Sequence, residues 1–159
     1  MKELDKKIQK KILSYMESNG LRVTSQRKAI ISAAFSDDEH YSAEELLERA
    51  RKLDSSVSRA TIYRTLPMLV KCGVLRELDL GKDFKYYDPN YSDHPNHNHI
   101  VCLNCEKIIE FEDYCLDVRE SAVATSLGFK PTNVRLHIEG NCAELAEKGV
   151  CSRCEKPST

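Results

Sequence analysis

Apolar residues recur at helical spacing through the first half of the chain, and the period then changes. Leu4, Ile8, Ile12 and Met16 share one face of a helix that ends at Gly20. The opposite face carries Lys6, Lys7, Lys10 and Lys11, as a solvated surface or as a basic arm near phosphates. The stretch TSQRKAIISAAF opens on Thr24, a good N-cap, and turns Ala29, Ile30 and Ala33 inward. In YSAEELLERARKL, Ser42 and Glu45 stand at capping-box spacing ahead of the stripe Leu46, Leu47, Ala50 and Leu53. SRATIYRTLPMLVKCG predicts a helix capped by Ser58, with Ile62, Leu66, Leu69 and Val70 on its apolar side and Gly73 as its stop. Pro67 inside it predicts a bend, because its missing N–H frees the Tyr63 carbonyl. VLRELDLGKDFKYYD then alternates with a period of two and turns at Gly81, which predicts a β-hairpin.

The stretch PNYSDHPN is rich in turn formers and poor in apolar residues, so the boundary falls near residues 89–95. Beyond it, HIVC and KIIEF read as strands around a knuckle. DYCLDVRESAVATSLG reads as a helix with Leu116, Val123 and Leu127 inward and Gly128 as its stop. TNVRLHIEG alternates, with Val134, Leu136 and Ile138 on one face. The fold class is therefore α+β. A winged helix-turn-helix domain over 1–89 is followed by a hinge at 90–95 and a small α/β domain over 96–159. Three strands and one helix leave an open sheet edge and a thin core, and dimerisation through the sheet would relieve both.

Composition narrows the function. The chain has 159 residues, 41% hydrophobic and 31% charged, enough for one large domain or two small ones. The net charge of −1 hides an asymmetry: residues 1–88 carry 17 Lys/Arg against 14 Asp/Glu, whereas the remainder carries 7 against 11. A basic first half is compatible with nucleic acid as its partner. No apolar run is long enough to span a bilayer, and MKELDKKIQKK lacks the apolar core of a secretion signal, so a cytoplasmic protein without membrane partners is expected. In a winged helix the last helix before the hairpin enters the major groove. Ser58, Arg59, Thr61, Tyr63 and Arg64 supply suitable chemistry there, since arginine takes phosphates or guanine edges and tyrosine packs on thymine methyls. The alternative is an ordinary polar helix face.

Two groups of ligand-type residues stand out. Cys102-x2-Cys105 and Cys151-x2-Cys154 have the spacing of a four-thiolate Zn²⁺ site that stabilises a fold without doing chemistry. Cys142, nine residues before Cys151, could replace one of the four. Cys72 and Cys115 fall in helices and read as buried small hydrophobes. The second group has no sulfur. His97 and His99 lie two apart on an extended segment, so both point the same way, and Glu110 lies in the next strand, on the face opposite Ile109 and Phe111. Asp88 ends the hairpin. His40 precedes the capping Ser42 and, taken alone, reads as a surface residue.

Over nearly its whole length the chain resembles the ferric uptake regulator family of metal-dependent bacterial transcription regulators. The matching stretches are GLRVTSQR, EHYSAEELL, SRATIYRTL, GVLRELDLG, HNHIVCLNCEKIIEF and the late GNCAEL and CSRC. The resemblance implies a homodimer on palindromic double-stranded operator DNA, with Arg22 and Arg27 joining the DNA-binding residues. It also implies a regulatory metal site at His40, Asp88, His97, His99 and Glu110. Three imidazoles and two carboxylates suit Fe²⁺ or Mn²⁺. The family's zinc site falls on Cys102, Cys105 and the C-terminal cysteines. An additional metal site of some relatives meets Asn96, Asn98, Asp117 and Val134 here and is expected to be absent. Within the family the rival is a peroxide sensor. From other classes come a non-haem metalloenzyme, for which five protein ligands leave little open coordination, and a zinc-ribbon interaction module, against which the helix-hairpin half argues.

Overall fold

The computed structural model describes residues 4–81, 83–90, 97–132, 134 and 136–152. It divides into two compact units, Met1–Pro95 and Asn96–Thr159.

The first unit opens with helix α1 (Lys6–Ser18), whose Ile8, Ile12 and Met16 are buried, and whose N-cap Asp5 accepts from Lys7 and Ile8 N–H. Helix α2 (Ser25–Ala34) starts where expected, with the Thr24 hydroxyl accepting from Arg27 N–H. Strand β1 (Tyr41–Ser42) leads directly into α3 (Ala43–Leu53). The capping box is formed: Ser42 accepts from Glu45 N–H at 3.2 Å, and the Glu45 carboxylate accepts from Ser42 N–H at 2.8 Å. Leu46, Leu47 and Ala50 are buried, but Leu53, expected in the same stripe, is exposed at the helix end. Helix α4 (Arg59–Lys71) begins at Ser58 and runs continuously through Pro67. It closes in a Schellman motif, with Gly73 N–H bonded to the Val70 carbonyl and Val74 N–H to that of Leu69. Gly73 has φ +69°, a conformation an L side chain rarely adopts, which is why the helix stops there.

The core of this unit lies among α1–α4, centred on Ile12, Met16, Ile30, Leu46, Ile62, Leu66 and Leu69, all nearly inaccessible to solvent. Strands β2 (Arg76–Leu78) and β3 (Tyr86–Asp88) form the expected hairpin. Lys85 is ion-paired with Glu77 across it. The sheet has a third member, in the order β1-β3-β2, with Tyr41 opposite Tyr87 and Ser42 opposite Tyr86. Periodicity gave no sign of a two-residue strand.

In the second unit, β4 (Asn98–Cys102) pairs antiparallel with β5 (Ile108–Phe111) and parallel with β6 (His137–Gly140), in the order β5-β4-β6. Helix α5 (Tyr114–Ser126) is capped by Asp113, and α6 (Ala143–Lys148) by Cys142. Val123 and Leu127 of α5 face solvent rather than turning inward as the periodicity predicts, Leu127 with 70% of its surface exposed. None of the residues of α5 is buried. Helical periodicity identifies which residues share a face but not what covers that face. Cys115, on the same helix, is exposed rather than buried, and Cys72 is half-buried at the end of α4. Among the described residues of this unit, the buried apolar side chains are Val101 and Cys102.

Candidate functional site

The register of the first sheet sets two candidate ligands side by side. With Tyr41 opposite Tyr87, the residue before β1 falls beside the residue after Tyr87, and these are His40 and Asp88. Each offers a ligand atom within 4.8 Å of the other. The Tyr41 and Tyr87 rings stack at 6.3 Å between centroids and fix this pairing from below. Arg49 lies over the Tyr41 ring at 5.3 Å and is itself held by Asp37 at 2.9 Å. Burial drives the Tyr41 phenol well above its usual range, despite the opposing Arg49 charge, so the ring stays neutral near Asp88. The Asp88 side chain is fully buried and accepts a hydrogen bond of 2.7 Å from Asn90 N–H. A carboxylate in that position is stable only with donors or a cation around it.

The second unit holds a matching group. His97 immediately precedes β4 and His99 lies within it. Their rings meet edge to face at 4.7 Å, and their ligand nitrogens also lie within 4.8 Å of one another. Glu110 stands directly opposite His99 on β5, and its Oε1 is 3.9 Å from His97 Nε2. Alternation along β4 and the β4–β5 register thus put two imidazoles and a carboxylate on one sheet face. This donor set, nitrogen and oxygen without sulfur, fits Fe²⁺ or Mn²⁺ better than it fits a thiophilic ion. His137, opposite His99 on β6, has its side chain exposed beside Glu139.

The thiols gather elsewhere in the same unit. Cys102 ends β4, and the chain reverses so tightly that Glu106 N–H bonds the Cys102 carbonyl at 2.8 Å, with Glu106 at φ +61°. Cys105 lies in this knuckle. Asn104 accepts from Cys142 N–H at 2.8 Å, which brings the start of α6 to the knuckle. The sulfurs of Cys142 and Cys151 are 3.5 Å apart, and Cys102, Cys105, Cys142 and Cys151 line one concavity. Burial pushes the Cys102 thiol up, but backbone N–H groups of Cys105, Asn104 and Cys142 together with the Cys105 thiol outweigh it and bring it below the usual thiol value. Two sulfurs on a tetrahedral zinc with bonds near 2.3 Å would stand about 3.8 Å apart, so the observed spacing fits one ion. Cys154 lies outside the described residues.

On and around α4 the residues expected to contact DNA divide into two sets. Ser58 and Thr61 hold α4 in place: Ser58 accepts from Thr61 N–H, and the Thr61 hydroxyl donates to Gln26 on α2 at 2.7 Å. Arg59, Tyr63 and Arg64 are exposed. Arg22 is exposed too, and Arg27 donates to its carbonyl at 2.6 Å.

A helix-turn-helix with a β wing, followed by a small sheet unit carrying a sulfur-free ligand face and a cluster of thiols, is the architecture of a metal-responsive regulator. The description of the ferric uptake regulator family matches residues 18–139. The chain is 32% identical over 140 residues to the ferric uptake regulation protein of Campylobacter upsaliensis, covering 87% of this chain and 88% of that one. It is 32% identical over 149 residues to the peroxide-responsive repressor PerR of Staphylococcus epidermidis, covering 94% and 97%. The structure of the Helicobacter pylori ferric uptake regulator, described as having three functional metal-binding sites, superposes with a TM-score of 0.81 at 28% identity, covering 94% of this chain and all of that one. The chain belongs to the ferric uptake regulator family and is a transcription regulator rather than an enzyme. No helix among the described residues is long and apolar enough to cross a membrane.

Proposed function

We propose that this protein is a cytoplasmic, metal-dependent transcriptional repressor that binds palindromic operator DNA as a homodimer, with Fe²⁺ as the favoured corepressor and Mn²⁺ as the alternative. The observation that carries the reading is the sulfur-free ligand set: His97, His99 and Glu110 on one sheet face, and His40 with Asp88 at the base of the wing. Each group alone has fewer donors than the six that an octahedral ion takes, and together they come close to that number. The bound ion supplies positive charge and fixed coordination directions. His40 and Asp88 would bind it from the DNA-binding unit, and His97, His99 and Glu110 from the other, so that occupancy selects one spacing of the two reading helices in the dimer. Turning such an equilibrium from 1:99 to 99:1 requires roughly 5.5 kcal/mol of preference, within reach of several coordinate bonds.

Arg59, Tyr63 and Arg64 would contact the operator, with Arg22 and Arg27 alongside and Ser58 and Thr61 fixing the helix that carries them. Structural Zn²⁺ is assigned to Cys102, Cys105 and two of the three C-terminal cysteines. The short Cys142–Cys151 distance supports those two as ligands, whereas spacing alone suggests Cys151 and Cys154. The test of the switch is operator affinity of the anaerobically reconstituted protein with Fe²⁺, Mn²⁺ or no added metal. Tight binding only when loaded is expected, and equal affinities would remove the switch.

The homodimer is supported by the apolar surface of the second unit, where Tyr114, Val118, Val123, Leu127 and Phe129 lie exposed in or next to α5, and Ile138 on β6. Val123→Glu combined with Ile138→Glu is expected to halve the mass seen by light scattering, because two charges cannot be buried unpaired in an interface. An unchanged dimer mass would place the interface elsewhere. A peroxide-sensing role has one observation in its favour, the similarity to the Staphylococcus epidermidis repressor. Peroxide treatment of the Fe²⁺-loaded protein would then add one oxygen to His40 or His97 by mass spectrometry; in a pure iron sensor both stay unmodified.

A further inference from the structure

Glu44 stands in the first turn of α3, where its charge suits the helix N-terminus but takes no part in the cap itself. Ser42 and Glu45 already close the N-terminus of α3, so the Glu44 carboxylate is available for other partners. It reaches α4, where its Oε2 lies 2.9 Å from Arg59 Nη2 and its Oε1 accepts a long hydrogen bond of 3.4 Å from the Tyr63 hydroxyl. Both partners are exposed, and both belong to the face proposed above to contact the operator. In the free protein, then, a carboxylate sits where a phosphate or a base edge would sit in a complex.

We infer that Glu44 is a specificity-determining residue of the DNA-reading face, an internal anion that any duplex must displace from Arg59 and Tyr63. The inference rests on the DNA-reading role proposed above for α4. On DNA of arbitrary sequence, Arg59 exchanges one anion for another, and the released Glu44 carboxylate attracts a cation from solution. The net release of counterions, which drives non-specific binding, falls by about one. On the operator, Arg59 and Tyr63 gain directional bonds to base edges that a carboxylate does not imitate, and the exchange becomes favourable. Because the pair is exposed, its strength is modest, equivalent to about two- to fivefold in affinity. That magnitude suits a filter that sets the ratio of operator to bulk DNA without obstructing the operator.

The test compares metal-loaded, full-length Glu44→Gln with Glu48→Gln, which removes the same charge one turn along α3 from an exposed position. Each is measured on a scrambled duplex and on a duplex selected by the wild type from a random pool. Relative to Glu48→Gln, Glu44→Gln is expected to tighten the scrambled duplex about two- to fivefold and to steepen its log K against log [salt] slope by about 0.9. The gain on the selected duplex should be smaller, and the difference should vanish when both changes are repeated in an Arg59→Gln background. Identical behaviour of the two glutamine variants, an equal gain on both duplexes, or a gain that survives loss of Arg59 would each overturn the inference alone. A wild type that binds neither duplex would overturn the DNA-reading role as well.

Discussion

His99→Ala is expected to weaken Mn²⁺ or Fe²⁺ binding by at least about 10- to 100-fold and, with it, to abolish metal-dependent operator binding. Loss of a group that merely orients a ligand costs about 10- to 100-fold in metal affinity, and loss of a direct ligand should cost no less. His99 is a suitable target because it sits in the middle strand of its sheet, opposite Glu110, with the His97 ring against it. Its removal leaves two imidazoles and two carboxylates from the proposed set, and an unfilled position in the coordination sphere. His137→Ala, an exposed change on the neighbouring strand, should leave affinity unaltered. Asp88→Asn tests the other unit. If one ion uses both ligand groups, Asp88→Asn should lower affinity as well, read by calorimetric titration with Mn²⁺. If Asp88→Asn bound metal as the wild type does, the ion would belong to the second unit alone, and the coupling between occupancy and DNA would need another origin.

The second large effect concerns the thiols. Removing zinc, by chelation or by Cys102→Ser, is expected to unfold the second unit while the first keeps its structure. Structural zinc sites contribute apparent free energies of about 10–16 kcal/mol, comparable to or above the whole stability of about 5–15 kcal/mol of a native domain. Within one chain this unit has little to set against such a loss, because its buried apolar side chains among the described residues are Val101 and Cys102, and the apolar face of α5 is covered only in the proposed dimer. The first unit keeps its own core of isoleucine, leucine and methionine between four helices. Hydrogen exchange should therefore show β4–β6 amides exchanging freely after zinc removal, with α2–α4 still protected. Cys142→Ser should lower zinc affinity and Cys115→Ser should not, since Cys142 approaches Cys151 and Cys115 faces solvent. Protected β4–β6 amides in a verified zinc-free protein would show that the unit is held by packing after all.

These features were legible in the sequence to different degrees, for physical reasons. Caps and stops are local chemistry. Thr24, Ser42 and Ser58 cap where they were expected to, and Gly20, Gly73 and Gly128 each take the left-handed conformation at a helix end. The His97–His99–Glu110 face follows from alternation plus one antiparallel register, and both are visible in the spacing. His40 is different. Its place beside Asp88 depends on a two-residue strand pairing with residues more than forty positions away, and no periodic signal accompanies it. The resemblance to a family supplied what the spacing could not. The outward orientation of α5 was missed for another reason: a stripe of apolar residues looks the same whether it meets its own chain or a second copy. The approach of Cys142 to Cys151 depends on the short α6, which the sequence reading did not contain.

The brevity of β1 has a mechanical consequence. One residue, Tyr41, separates His40 from Ser42, and Ser42 both pairs with Tyr86 and starts α3. There is no slack in that joint to absorb a tug on the imidazole, because the intervening ring is locked in stacked aromatics and a close-packed interior yields little. If the proposed ion binds His40, a displacement of its imidazole would reach the start of α3 through a single intervening residue, and Glu44, two residues past Ser42, would move with that first turn.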